Sequence, residues 1–318
     1  MDRKKFIKSA SLGMAGLSFL HYKNLWGAAH HASEINDLSL HKIDRTELKK
    51  VNFRWPRFVG KNSRIDVHGQ DRTCYVVQLF TDQGASGWGL SRNMNVDLTN
   101  SLVGKKLSDL IQPGRGISAH VDKAFDFALH DLMGIVLNKP VYQTIGEKGV
   151  KITPIYSGMI YMDELNEGSK GIETILDNCQ WDYDYGYRQL KVKIGRSGRW
   201  YPHDEGLDMD IKVVKTIYES FNDKGVEILV DGNDMYSLDD TKSFLEGITP
   251  IPVFWVEEPF MEERNKSIEL RKWMNKNGYQ DTFYADGERL PDIPLCMDLL
   301  KKDILDVYLI DIYGFGFT

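Results

Sequence analysis

From about residue 151 onward the chain repeats one pattern, a short apolar run followed by an amphipathic segment. The runs are ITPIYSGM, RQLKVKIG, VEILVDGN, VFWVEEP, TFYADGE and ILDVYLIDIY. Between them, GLDMDIKVVKTIYESF sets Leu207, Ile211, Val214, Tyr218 and Phe221 on one helical face. SLDDTKSFLEGI opens with Ser237 and Asp240 at the spacing of a reciprocal helix cap. Val- and Ile-rich strands alternating with helices require a parallel sheet joined by right-handed crossovers. No GxGxxG follows any of the runs, which disfavours a doubly wound dinucleotide-binding sheet. The fold expected is α/β: a (β/α) barrel of the TIM type over 151–318, incomplete at about six strands.

Nearly every run ends in charge. In RQLKVKIGR, Lys191 and Lys193 share one face of the strand, and Leu190, Val192 and Ile194 the other. Asp231 and Asn233 close the third run, Glu257 the fourth, Glu288 the fifth and Asp311 the sixth. In a barrel the C-terminal strand ends meet at one mouth. Taken singly, Asp231-Gly232 reads as a turn, Glu257-Glu258-Pro259 as the start of a helix, and Lys-x-Lys as a solvated edge. Five successive strands ending in this way point instead to a shared site. Three carboxylates suit Mg²⁺, a hard cation that takes oxygen ligands, and no His or Cys is placed to favour zinc. Lysines opposite a carboxylate-bound metal suit removal of a proton beside a substrate carboxylate. The metal stabilises the enediolate, and its charge favours the neutral amine that serves as base.

Residues 40–150 read as a separate α+β unit. CYVVQLFTDQGASGWGL has the form of a hairpin turning at Asp82-Gln83-Gly84. VDKAFDFALHDLMGIVLNKP spaces Phe125, Leu129, Leu132 and Val136 as a helix that Pro140 stops. NFRWPRFVGKNSRIDVHGQ, with Arg54, Arg57, Lys61 and Arg64, reads as a mobile, cationic loop. Residues 1–32 differ from the rest: a basic start, roughly eleven apolar residues and a small-residue stretch at Gly27-Ala28-Ala29 form an export signal too short to span a bilayer. DRKKFIKSAS is similar to a twin-arginine signal, except that Lys4 stands where the second arginine belongs, so a Sec-type signal stays open, as does a cytoplasmic tail. The expected location is periplasmic. No later segment is apolar enough to span a membrane. The net charge of −6 and the lack of a basic stripe exclude a nucleic-acid partner, and Cys74, Cys179 and Cys296 form neither a disulfide framework nor a metal cluster.

In order along the chain, TDQGASGWG, FDFALHDLMGIVLNKPVYQTIG, LKVKIG, VDGN, WVEEP and ADGE resemble the mandelate racemase/muconate lactonizing enzyme branch of the enolase superfamily. The resemblance runs from about residue 41 to the end. It implies a modified TIM barrel with an N-terminal capping domain, a Mg²⁺ cofactor and an enediolate mechanism. It further implies Asp231, Glu257 and Glu288 as metal ligands, Glu258 as their neighbour, and Asp286 as a less fitting third ligand than Glu288. Lys193 becomes the base and Lys191 the partner of the substrate carboxylate. Asn233 would hydrogen-bond a substrate hydroxyl; separately, the composition of the cationic loop suits a polyhydroxylated anion and makes Arg54 and Arg57 substrate-binding candidates. Asp311 matches the aspartate that orients a histidine on the opposite face, and Asp306 is structural.

That histidine would come from a seventh strand, and among the eight histidines only His203 could approach the mouth. The expectation is thus a C-terminally incomplete copy, poorly stable and inactive on its own, and homo-oligomeric at full length. The reaction expected is dehydration of a sugar acid, an aldonate or aldarate, to a 2-keto-3-deoxy acid. Racemisation or epimerisation of a 2-hydroxy acid is the alternative, and a non-catalytic sugar-acid binding protein a third.

Overall fold

The computed structural model describes residues 25–91, 96–146 and 152–318, with only backbone for residues 25–31 and Val96. Residues 1–24 of the expected export signal lie outside the described residues. The rest of it falls in helix α1 (Leu25–Ser39), which continues past the expected boundary at residue 32. No helix among the described residues is long and apolar enough to cross a membrane. The chain divides into two compact units, one of residues up to 54, 71–152 and 311–318, the other of 55–70 and 153–310.

The first unit is built on a three-stranded sheet of β1 (Ile43–Val59), β2 (Gly69–Thr81) and β3 (Ser86–Ser91). The hairpin expected at Asp82-Gln83-Gly84 forms, with β2 and β3 antiparallel from Tyr75↔Ser91 to Phe80↔Ser86. Helix α2 (Asp126–Leu137) lies directly on β3 because Gly87 and Gly89 have no side chains. A Cβ at Gly87 would come within 2.4 Å of the Leu132 nitrogen, and one at Gly89 within 2.4 Å of the Ala128 nitrogen. Leu129, Leu132 and Met133 then bury fully with Val77 and Leu79. Asn138, left-handed at φ 51°, ends the helix two residues before Pro140.

The second unit is a six-stranded parallel sheet whose strands lie side by side in sequence order. They are β4 (Ser157–Ile160), β5 (Gln189–Lys193), β6 (Glu227–Asp231), β7 (Val253–Glu257), β8 (Phe283–Asp286) and β9 (Val307–Tyr308). A doubly wound sheet reverses its order at a switch point, whereas this one winds in a single direction, as a barrel does. Between the strands run α3 (Ile172–Tyr185), α4 (His203–Phe221), α5 (Leu238–Ile248), α6 (Arg264–Lys276) and α7 (Ile293–Lys301). Leu190, Val192, Ile228, Val230 and Val256 on the outward strand faces pack with Val213, Val214, Ile217 and Phe221 of α4 in one core. The expected reciprocal cap between Ser237 and Asp240 opens α5.

Two expected elements differ. NFRWPRFVGKNSRIDVHGQ is not loop throughout, since β1 runs to Val59 and β2 begins at Gly69. The last strand is two residues, not the length of ILDVYLIDIY: after Tyr308 the Asp311 carboxylate accepts from the Tyr313 N–H (3.1 Å) and starts the short helix α8 (Ile312–Phe315).

Candidate active site

The parallel register puts the charged strand ends in a row. Lys193 stands opposite Asp231, and Asp231 opposite Glu257, on adjacent β5, β6 and β7. Lys191, two residues back, faces the same side. All four are buried. Lys191 Nζ donates to Glu257 Oε1 (2.5 Å) and lies 2.9 Å from Asp231 Oδ2, the oxygen that Lys193 Nζ also contacts. Glu288, two residues past β8, completes the group: one oxygen each from Asp231, Glu257 and Glu288 lie within 4.8 Å of one another.

The chain bends sharply past these strand ends. Asn233 (φ 46°), Asp234 (φ 61°) and Glu258 (φ 40°) all occupy the left-handed region, a costly conformation for residues with side chains. Hydrogen bonds hold them there. Asn233 N–H donates to Asp231 Oδ1 (3.0 Å), Asp234 N–H to the Glu258 carbonyl (2.6 Å), and Glu258 N–H to the Ala285 carbonyl (3.0 Å).

Burial alone would raise the Asp231 carboxyl, but Lys191 and Lys193 outweigh it and hold it well below the usual carboxylate range. Burial raises Glu257, Asp231 adds to the effect, and the lysines offset it only in part. Burial also disfavours both ammonium ions, yet the carboxylates, Asp231 foremost, hold the two amines above their ordinary range. Both lysines are therefore cations that neutralise the acidic row. Glu257 Oε2 is buried without a hydrogen-bond partner. Three hard oxygen donors, one with an orphaned atom, fit a divalent metal ion. Positive charge placed there would compete with the lysines for the carboxylates and favour a neutral amine at Lys193, while a substrate carboxylate would keep Lys191 a cation.

A second acidic group, which the strand-end pattern did not indicate, joins Asp234, Glu258 and Asp286. Burial and then neighbouring carboxylates raise them to about 6, 7 and 8, with Arg64 partly offsetting the rise at Asp234. Asp286 thus falls in this group and Glu288 in the first. Arg64 pairs with Asp234, while Ser63 Oγ donates to the Gly232 carbonyl (3.1 Å) and Met162 N–H to the Lys61 carbonyl (2.9 Å). Residues 60–64 are thereby fastened to the segments that follow β4 and β6.

The remaining expected residues are placed as follows. Asn233 is buried and its Nδ2 lies 3.5 Å from Glu258 Oε2. Arg57 is buried in an ion pair with Asp182 (2.8 Å), and Asp182 also accepts from Ser157 Oγ (2.5 Å), so its guanidinium is directed at α3. Arg54 belongs to the first unit, exposed and 3.8 Å from Asp71. Asp311 also belongs to the first unit, as the cap of α8. Neither is among the residues that the second unit gathers. His203 is exposed at the start of α4, between Asp204 and Asp240 (2.8 Å each). Asp306 accepts from the Tyr284 N–H (2.8 Å) and pairs with Arg271.

Residues 175–317 match the family described as enolase C-terminal domain-like. That match covers most of the barrel half. The fold is likewise similar to the galacturonate dehydratase of Geobacillus sp., solved in complex with Mg: TM-score 0.79 and 28% identity over 87% of this chain and 73% of that one. Arabinonate dehydratase of Saccharolobus solfataricus is 26% identical over 149 residues, 47% of this chain and 36% of the relative. A hydrophobic dipeptide epimerase of Enterococcus faecalis is 25% identical over 205 residues, 64% of this chain and 51% of the relative. The chain thus spans between about a third and a half of these two curated relatives. Its relatives are enzymes, acid sugar dehydratases and epimerases among them.

Proposed function

We propose that this enolase-superfamily site takes the proton from the carbon beside a substrate carboxylate, with Mg²⁺ held by Asp231, Glu257 and Glu288. The observation that carries the reading is the register row Lys193–Asp231–Glu257, with Lys191 on the same buried face. Lys193 is ion-paired with Asp231, one of whose oxygens lies within 4.8 Å of oxygens of Glu257 and Glu288. The chemistry supplied by bound Mg²⁺ is positive charge against the substrate carboxylate oxygens, where charge collects as the proton leaves. Lys193 Nζ receives that proton. Lys191 offers a second cation to the substrate carboxylate, and Asn233 a hydrogen bond to a substrate hydroxyl.

Dehydration of an aldonate or aldarate to a 2-keto-3-deoxy acid is the reaction we assign, supported by acid sugar dehydratases among the relatives. Epimerisation shares the first proton transfer and is supported by the dipeptide epimerase. The test is a panel of sugar acids incubated with Mg²⁺ in D₂O and followed by NMR. Keto-deoxy product that disappears in Lys193→Ala supports dehydration, and deuterium at the α-carbon without elimination supports epimerisation. Turnover that survives Lys193→Ala rejects Lys193 as the base.

A further inference from the structure

Arg196 is the largest side chain among the described residues to be fully buried. A charge taken out of water is costly unless its donors find acceptors, and here all three nitrogens do, through four hydrogen bonds. Nε and Nη2 fork onto Glu164 (2.7 and 3.0 Å), and Nη1 donates to Asp210 Oδ1 (2.6 Å) and to the carbonyl of Lys193 (3.0 Å). Asp210, on α4, accepts on its other oxygen from the N–H groups of Gly195 (2.9 Å) and Arg196 (3.1 Å) and from the Tyr236 hydroxyl (2.7 Å). Glu164 sits in the turn after β4, and Tyr236 follows β6. Between Lys193 and Arg196 the chain turns at Gly195, left-handed at φ +89°, where a Cβ would come within 2.9 Å of the Gly232 carbonyl. The turn that ends β5 is thus tied by one guanidinium to the turn after β4 and to α4, and through Asp210 to Tyr236, while the same guanidinium grips the carbonyl of Lys193 itself.

A packed apolar side chain often holds such a turn as stably as a buried ion cluster, whereas a guanidinium forked between fixed acceptors also sets its direction. We infer that Arg196 is a positioning residue for Lys193: it fixes the end of β5 so that Nζ points at the Asp231–Glu257 row. Its catalytic consequence rests on the reading of Lys193 as base, while the positioning itself does not. A displacement of about 1 Å of a reacting group costs about 10²-fold in rate.

The test compares Arg196→Lys, Glu164→Gln and Tyr236→Phe with the parent 318-residue chain. Reductive methylation at one pH, read by peptide mass spectrometry, gives the rate at Lys193 relative to Lys191. The ratio is expected to rise several-fold in Arg196→Lys and by less in Glu164→Gln, with the Mg²⁺-induced shift in Tm unchanged. In α-hydrogen exchange, read on a sugar acid of the panel that the parent chain is found to exchange, kcat is expected to fall about 10²-fold with KM within about twofold. If Arg196→Lys does not fold, the two milder variants carry the comparison. An unchanged methylation ratio in every folded variant overturns the inference. Exchange that survives Lys193→Ala removes the base reading alone, and the methylation ratio then still decides the role of Arg196.

Discussion

Replacing Arg57 by Met removes the partner of a carboxylate that has almost no access to water. The side chains of Arg57 and Asp182 are 9% and 2% exposed, and two hydrogen bonds join them, Nη2 to Oδ2 at 2.8 Å and Nε to Oδ1 at 3.3 Å. Breaking a buried pair on one side costs about 3–5 kcal/mol, because the remaining charge is uncompensated. In a unit of this size that lowers Tm by roughly 6–20 °C. Ser157 Oγ, at 2.5 Å from Asp182, is the hydroxyl left to share the charge, and one such bond contributes about 1.5–3 kcal/mol, short of the full loss. The double variant Arg57→Met, Asp182→Leu removes both charges and recovers most of the stability, leaving only Ser157 without its acceptor. Urea unfolding followed by circular dichroism and tryptophan fluorescence supplies the four corners of a double-mutant cycle. An Arg57→Met variant within about 0.5 kcal/mol of the parent refutes the structural assignment. Weakened sugar-acid binding at unchanged stability would return Arg57 to the substrate-binding role expected from the sequence.

Three further outcomes follow from the geometry. Mg²⁺ at about 100 times its Kd should stabilise the chain by about 2.7 kcal/mol in thermal unfolding, an effect that Glu288→Gln weakens; indifference to both EDTA and Mg²⁺ counts against the acidic row as a metal site. Gly89→Ala sets a methyl group against the backbone of α2 and should cost about 1–3 kcal/mol, measured as a lower urea midpoint. Burial depresses the folded-state pKa of His130, with Asp126 opposing, so the unfolded chain binds the proton more readily. This contribution is present above about pH 6.5 and lost as pH falls below it toward the folded value; His130→Gln should flatten that part of the pH–stability curve, and an unchanged slope contradicts the assignment.

Much of the barrel could be read from the sequence because its information is local. Periodicity two in VEILVDGN, periodicity 3.6 in GLDMDIKVVKTIYESF and the Ser237–Asp240 cap each state their own structure within a dozen residues. The strand-end charges were legible for the same reason, since a parallel sheet wound in one direction carries every strand's C-terminal end to the same side. By itself the sequence therefore determined the alternating fold, the paired lysines and the acidic residues that face them. Tertiary structure decided the partners. That Lys193 stands level with Asp231, and Asp231 with Glu257, is a matter of strand register, which pairs residues dozens of positions apart. Arg57 and Arg196 look alike in the sequence, as arginines beside apolar runs. Burial decided that Asp182 answers one and Glu164 with Asp210 the other, because a charge cut off from water stays only where the fold supplies its counter-charges.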